Sequence, residues 1–236
     1  MKILRTLRAA KEKSADMFVY GPIGGDWWGE GVTDIHVAEA LAELDDVDVL
    51  KVHLDSPGGD AAQGLAIYNL LVQHPVTVET IVEGWAASAA SIIMMAGDTR
   101  KVAENGLVMI HDAWGITVGN KREMRKTADL LEKLDGNLAL TYSRRSGDKK
   151  TKEEFAAMMS EETWFNGTEA MDAGLADELL AAKAPEDSAA TALRAASMAL
   201  RPRFAARYKH SPKAATEDPD YQRELMRMRL ALARTA

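Results

Sequence analysis

Ser88 stands in the run Gly84-Trp85-Ala86-Ala87-Ser88-Ala89-Ala90-Ser91, where small side chains crowd the start of a predicted amphipathic helix. A hydroxyl at a helix start meets unpaired N–H groups and the positive end of the helix dipole, both of which favour negative charge developing beside it. That environment suits the nucleophile of an acyl transfer; on its own, a serine there is more often an N-cap or a tight helix contact. The run does not match the G-x-S-x-G elbow of α/β-hydrolases. Acyl transfer also needs a base for the serine, a carboxylate to orient that base and donors for the oxyanion. His111 fits the base. It follows Leu107-Val108-Met109-Ile110 and so closes a predicted buried strand, the end at which α/β sites form. The other histidines are placed less well: His36 on a helix surface, His53 inside an alternating strand, His74 before Pro75 and His210 near the C-terminus. Ser56-Pro57-Gly58-Gly59 offers the donors, because two glycines after a strand let backbone N–H groups turn outward without Cβ clashes. The same motif also reads as an ordinary strand-to-helix turn. Glu161, Glu162, Asp112 and Asp172 are the candidate carboxylates, and spacing does not choose among them.

These residues need a scaffold, and the periodicity supplies one. Apolar or alternating runs predict strands over 17–20, 47–54, 76–82, 100–102, 107–110 and 177–180. Helical spacing predicts helices over 33–44, 61–73, 121–145, 152–159 and 168–173, besides the one after Ser88. Strands alternating with helices imply a mostly parallel sheet with crossover helices, hence an α/β fold. The long helix 121–145 repeats Met124, Ala128, Leu131, Leu138 and Tyr142 on one face and charges on the other, so it needs something to lie against. After residue 181 the composition shifts to Ala, Arg, Pro, Ser and Asp. The chain therefore divides into a domain over 1–181 and a basic, partly disordered helical tail over 182–236, in which 221–234 is amphipathic.

The absence of cysteine among 236 residues excludes disulfides, thiolate catalysis and sulfur-bound zinc, so any nucleophile is an oxygen or a nitrogen. A net charge of -7 argues against nucleic acid as a partner, since phosphate contact needs concentrated positive charge. The longest apolar stretch, 86–97, is too short to span a bilayer, and no secretory signal pattern opens the chain. The expectation is a cytoplasmic protein with no membrane partner. Trp27-Trp28, in a glycine-rich loop, either line a groove or fold onto the core.

Taken in order, S-P-G-G (56–59), G-x-A-A-S (84–88), V-M-I-H (108–111) and W-F-x-x-x-E-A-x-x-x-G-L-x-D (164–177) resemble the Clp protease proteolytic subunit family over residues 17–180. The resemblance implies a ClpP/crotonase-like fold and a serine endopeptidase that uses no cofactor and no metal. It assigns Ser88 as nucleophile, His111 as base and Glu162 as the acid, where the family normally has aspartate. It further implies an oxyanion hole from Gly58 or Gly59 with the N–H of Ala89. Helix 121–145 resembles the family's handle, through which two rings face each other, so a homo-oligomeric ring acting on protein or peptide substrate is expected.

The N-terminal stretch lacks the D-I-Y-S-R-L-L pattern from which housekeeping members build axial loops and ATPase contacts, which leaves docking to an AAA+ unfoldase open. Glu162-Thr163-Trp164-Phe165, Trp114-Gly115 and the basic tail are more similar to the phage-borne branch, associated with processing capsid or scaffold proteins during head maturation. The resulting expectation is an ATP-independent or weakly ATPase-coupled peptidase of that kind, working in host cytoplasm. The alternatives are a housekeeping peptidase fed by an unfoldase, a crotonase-type acyl-CoA enzyme and a non-catalytic ring scaffold. The Ser88 and His111 pair weighs against the last two.

Overall fold

Apolar, β-branched runs separated by helix-forming segments build a mixed sheet in the computed structural model, which describes residues 4–8, 13–25 and 31–180. Trp27-Trp28, His210 and the tail over 182–236 lie outside the described residues. The strands are β1 (Leu4–Arg8), β2 (Ser14–Tyr20), β3 (Val49–Ser56), β4 (Thr77–Ala87), β5 (Thr99–Ala103), β6 (Leu107–Ile110), β7 (Thr163–Asn166) and β8 (Glu178–Leu180). The helices are α1 (Asp34–Ala42), α2 (Ala61–Gln73), α3 (Ala89–Met94), α4 (Lys121–Arg145), α5 (Lys152–Ser160) and α6 (Gly167–Asp172).

The strands lie in the order β1-β2-β3-β4-β5-β8, with β6 pairing β4 and β7. The pairings β2-β3, β3-β4, β4-β5, β4-β6 and β5-β8 are parallel, whereas β1-β2 and β6-β7 are antiparallel. This is the α/β fold that the alternation predicts. It adds two antiparallel strands, β1 and β7, that the periodicity does not predict.

β4 sets the architecture of the site because it changes neighbour along its length. Glu79–Val82 pair with β5, and Trp85–Ala87 pair with β6. The sheet thus forks at residues 83–84, and the end of β4 lies between β3 and β6, the kind of switch point where α/β folds bind ligands. Alternate residues of β2 and β3, Met17 and Val19 with Leu50, Val52 and Leu54, join Ile67 and Leu71 of α2 and Ile92 and Ile93 of α3 in one core.

Two helices differ from expectation. α3 is not amphipathic: all of Ala89–Met94 are buried, because the helix sits inside the core instead of on its surface. α4 does not lie flat along its apolar face. Of that face only Leu138 and Tyr142 are buried, whereas Met124 is 50% exposed, and Leu130 beside the face is 65% exposed. Its C-terminal half is anchored and its N-terminal half is left uncovered. No helix among the described residues is long and apolar enough to cross a membrane.

Candidate active site

β4 ends at Ala87 and α3 begins at Ala89, so Ser88 alone makes the turn, with φ 54° and ψ -126°. A non-glycine residue there is strained by about 1–3 kcal/mol, and such strain persists only where the surroundings enforce it. They do. Ser88 N–H donates to Met109 C=O at 2.9 Å, and Ser88 C=O accepts the Ser91 amide at 2.9 Å and the Ser91 hydroxyl at 2.6 Å. The Ser91 hydroxyl also lies 2.7 Å from the phenol of Tyr142 on α4. Burial pushes the Tyr142 pKa well up, which keeps the phenol protonated.

The turn is a sharp strand-Ser-helix elbow without the glycines that usually mark one. The room comes from glycines distant in sequence. A Cβ on Gly58 would lie 2.6 Å from Ser88 Cβ and 2.5 Å from Ala87 C=O, and one on Gly64 of α2 would lie 3.0 Å from Ala89 Cβ. The alanines flanking Ser88 complete the fit.

His111 lies one residue past β6. The register Ala87 opposite Met109 brings its ring to Ser88, with Nε2 2.7 Å from Ser88 Oγ. Ser88 makes no side-chain cap bond to α3, so its hydroxyl is committed to the imidazole and the N-cap reading fails. A helix of six residues has little dipole; what the turn offers is the orphan amides of its first residues. Burial is the largest influence on His111 and holds its pKa below the ordinary value, against the upward pull of Glu162, Asp112 and Asp135 in that order.

Glu162 takes φ 50° between α5 and β7, and its Oε1 accepts a hydrogen bond from Trp164 Nε1 at 3.4 Å. It acts on His111 through charge. Among the described residues Ser88 is the hydrogen-bond partner of His111. Glu161 ends α5 as its C-cap, and Asp172 is the last residue of α6. Trp164 also meets Trp85 edge to face, with centroids 5.5 Å apart.

Gly58 and Gly59 follow β3 beside this elbow, with φ 90° and 148°. The Gly58 N–H is directed at Ser56 Oγ, 3.1 Å away. Ile23 bonds the Gly58 C=O and the Asp60 N–H in a parallel bridge, a pattern that turns the Gly59 amide away from Ile23.

The other described histidines have structural occupations. His36 Nδ1 accepts the Thr33 amide in the α1 cap, His74 Nδ1 accepts the Val76 amide, and His53 is gripped by Asp16 and Glu83. The motif reading missed Asp135, which sits in the apolar stripe Leu131, Asp135, Leu138, Tyr142 of α4. A charge at a stripe position was the available signal. Among the described residues no group of three or more His, Cys, Asp or Glu is placed to hold a metal ion.

The family model for Clp protease matches residues 6–183. The chain belongs to the Clp protease family. Its enzyme class is that of a serine-type endopeptidase. The chain is 29% identical over 161 residues to the ATP-dependent Clp protease proteolytic subunit 1 of Leifsonia xyli subsp. xyli, covering 65% of this chain and 81% of that one. It is 32% identical over 148 residues to the proteolytic subunit of Bacteroides fragilis (strain ATCC 25285), covering 61% and 70%. It is 30% identical over 164 residues to that of Pleurastrum terricola, covering 68% and 83%. A point mutant of ClpP1 from Listeria monocytogenes superposes with a TM-score of 0.61 at 22% identity, over 71% of this chain and 92% of that one, which shows the shared fold.

Proposed function

We propose that this Clp protease family member cleaves peptide bonds through Ser88, His111 and Glu162. Nε2 of His111 takes the Ser88 proton as Oγ attacks the scissile carbonyl, and the imidazolium later returns that proton to the leaving amine. Glu162 stabilises the imidazolium by its charge. The tetrahedral oxyanion is received by the amides of Gly59 and Ala89. Gly59 is preferred to Gly58 because the Gly58 N–H already has Ser56 Oγ. The observation that carries the reading is the 2.7 Å contact between His111 Nε2 and Ser88 Oγ on a strained elbow. A crotonase-type acyl-CoA enzyme needs no such pair, and an inert scaffold has no use for the strain.

The working form is a homo-oligomeric ring, supported by the exposed apolar residues Met124 and Leu130 on the uncovered half of α4. The relatives are named as ATP-dependent subunits. The similarity of Glu162-Thr163-Trp164-Phe165 and Trp114-Gly115 to the phage-borne branch favours a phage capsid or scaffold protein as substrate, and two features of the N-terminal stretch favour looser coupling to an ATPase. The D-I-Y-S-R-L-L pattern is absent, and residues 4–8 serve instead as an antiparallel edge strand on β2. The test is hydrolysis of a denatured protein and of a capsid-type substrate, without ATP, by the wild type and by Ser88→Ala. The expected result is cleavage by the wild type, none by the alanine protein, and fluorophosphonate labelling at Ser88. Cleavage that survives the substitution, or labelling elsewhere, overturns the mechanism. A wild type that cleaves only when an unfoldase is added overturns the loose coupling alone.

A further inference from the structure

Asp135 holds a position in α4 where the packing pattern calls for an apolar residue. Leu131, Asp135, Leu138 and Tyr142 recur at helical spacing, and Leu138 and Tyr142 enter the core. A half-buried carboxylate in such a stripe costs stability unless something uses it. Its use is visible at the active site: Asp135 Oδ1 accepts the Ala113 N–H at 2.7 Å. Burial lifts the Asp135 pKa, the Ala113 amide lowers it, the Asp112 charge lifts it and the His111 charge lowers it, with a net rise.

His111 needs this support because β6 stops at Ile110 and no sheet ladder continues past it. Two bonds hold the residues that follow: the Asp112 N–H donates to the Met159 C=O of α5 at 3.2 Å, and the Ala113 N–H donates to Asp135. We infer that Asp135 is a positioning residue for the catalytic histidine, clamping the 111–113 segment from α4 and adding negative charge beside the imidazole. The inference rests on the Ser88-His111 reading. It assigns a further carboxylate to the base, which complements a Glu162 that reaches His111 by charge and not by a hydrogen bond. The titratable groups around the imidazole are then Glu162 before β7, Asp112 after β6 and Asp135 on α4.

Two substitutions in the full-length chain separate clamp from charge. Asp135→Asn keeps an oxygen that can accept the Ala113 N–H and removes the charge; Asp135→Ala removes both. Each is read by peptide hydrolysis, and by NMR titration of His111 in the Ser88→Ala background, which needs no turnover. Asp135→Ala is expected to lower kcat roughly tenfold to a hundredfold, as misplacement of a catalytic group does, with KM little changed. Asp135→Asn is expected to recover most of kcat while the His111 pKa falls, since one upward-pulling charge is gone. If Asp135→Ala does not fold, the Asn protein and its titration still decide. Rates within about twofold of wild type for both proteins, with an unmoved His111 titration, overturn the inference. A wild type whose Ser88 takes no fluorophosphonate overturns the peptidase reading and this inference with it. A chain that is labelled yet indifferent to both substitutions overturns this inference alone.

Discussion

At the scale of single residues, the site is governed by competition over the proton on His111. Burial disfavours the imidazolium, while Glu162, Asp112 and Asp135 favour it, and burial prevails. On the proposed mechanism His111 must be neutral to accept the Ser88 proton, so a depressed pKa extends activity toward acid. The acid limb of kcat/KM is therefore expected below the ordinary histidine value of about 6.5. Glu162→Gln removes the largest upward pull, so the limb should move further down while kcat falls because the imidazolium loses its counter-charge. A pH-rate series on both proteins checks this; an acid limb that rises, or stays where it was, removes Glu162 from the triad. The sequence singled out Ser88 by the small residues around it at a helix start and His111 by the buried strand it closes, and the structure brings the two within 2.7 Å. Glu162 is proposed only through the motif that follows it. No periodicity foretells that a residue at φ 50° between α5 and β7 will bring its charge to bear on a histidine just past β6.

At the scale of elements, the elbow that carries the proposed nucleophile depends on backbones that approach one another where side chains are missing. Gly58 belongs to the segment after β3, yet the atoms that crowd its Cβ position belong to the β4-α3 elbow. Gly58→Ala would drive a methyl into Ala87 C=O and Ser88 Cβ, at a φ of 90° that alanine resists. The elbow must shift to admit it, and a displacement of about 1 Å there is expected to lower kcat roughly a hundredfold. The check is kcat together with thermal unfolding: a large loss of kcat in a folded protein supports the close-approach account, and near-normal kcat contradicts it. The same non-local packing explains what the sequence concealed. The elbow lacks its usual glycines because they lie in the S-P-G-G turn and in α2. β1 carries Arg5 and Arg8 and has no apolar run of its own, so only its pairing with Ala15–Val19 makes it a strand. β7 is four residues long and exists as the partner of β6. Long elements with their own period, such as α2 and α4, were legible to within a residue or two.

At the scale of the whole molecule, the sheet carries a second buried imidazole that the reaction does not use. His53 lies 5% exposed on the strand face opposite Val52 and Leu54, stacked on Phe18 with centroids 4.6 Å apart. Its Nε2 is 2.9 Å from Asp16 Oδ1 and its Nδ1 is 3.2 Å from Glu83 Oε1, and the Tyr20 hydroxyl donates to the same Glu83 carboxylate. The cluster links β2, β3 and β4, the strands that lead toward the elbow. Burial alone would lower the His53 pKa, but the hydrogen bonds and charges of Asp16 and Glu83 outweigh it and hold the pKa above the ordinary value. The folded state therefore binds the proton more tightly than the unfolded chain. This contribution to stability is complete below the unfolded pKa of about 6.5 and is lost as pH rises through the higher folded pKa. Thermal unfolding of the wild type should accordingly show Tm declining as pH passes from about 6 into the alkaline range. His53→Gln cannot bind that proton, so its Tm should be lower at the acid end and its decline across the same range shallower. Parallel Tm profiles for the two proteins would show that the Asp16-His53-Glu83 cluster does not bind its proton more tightly in the folded state than the unfolded chain does.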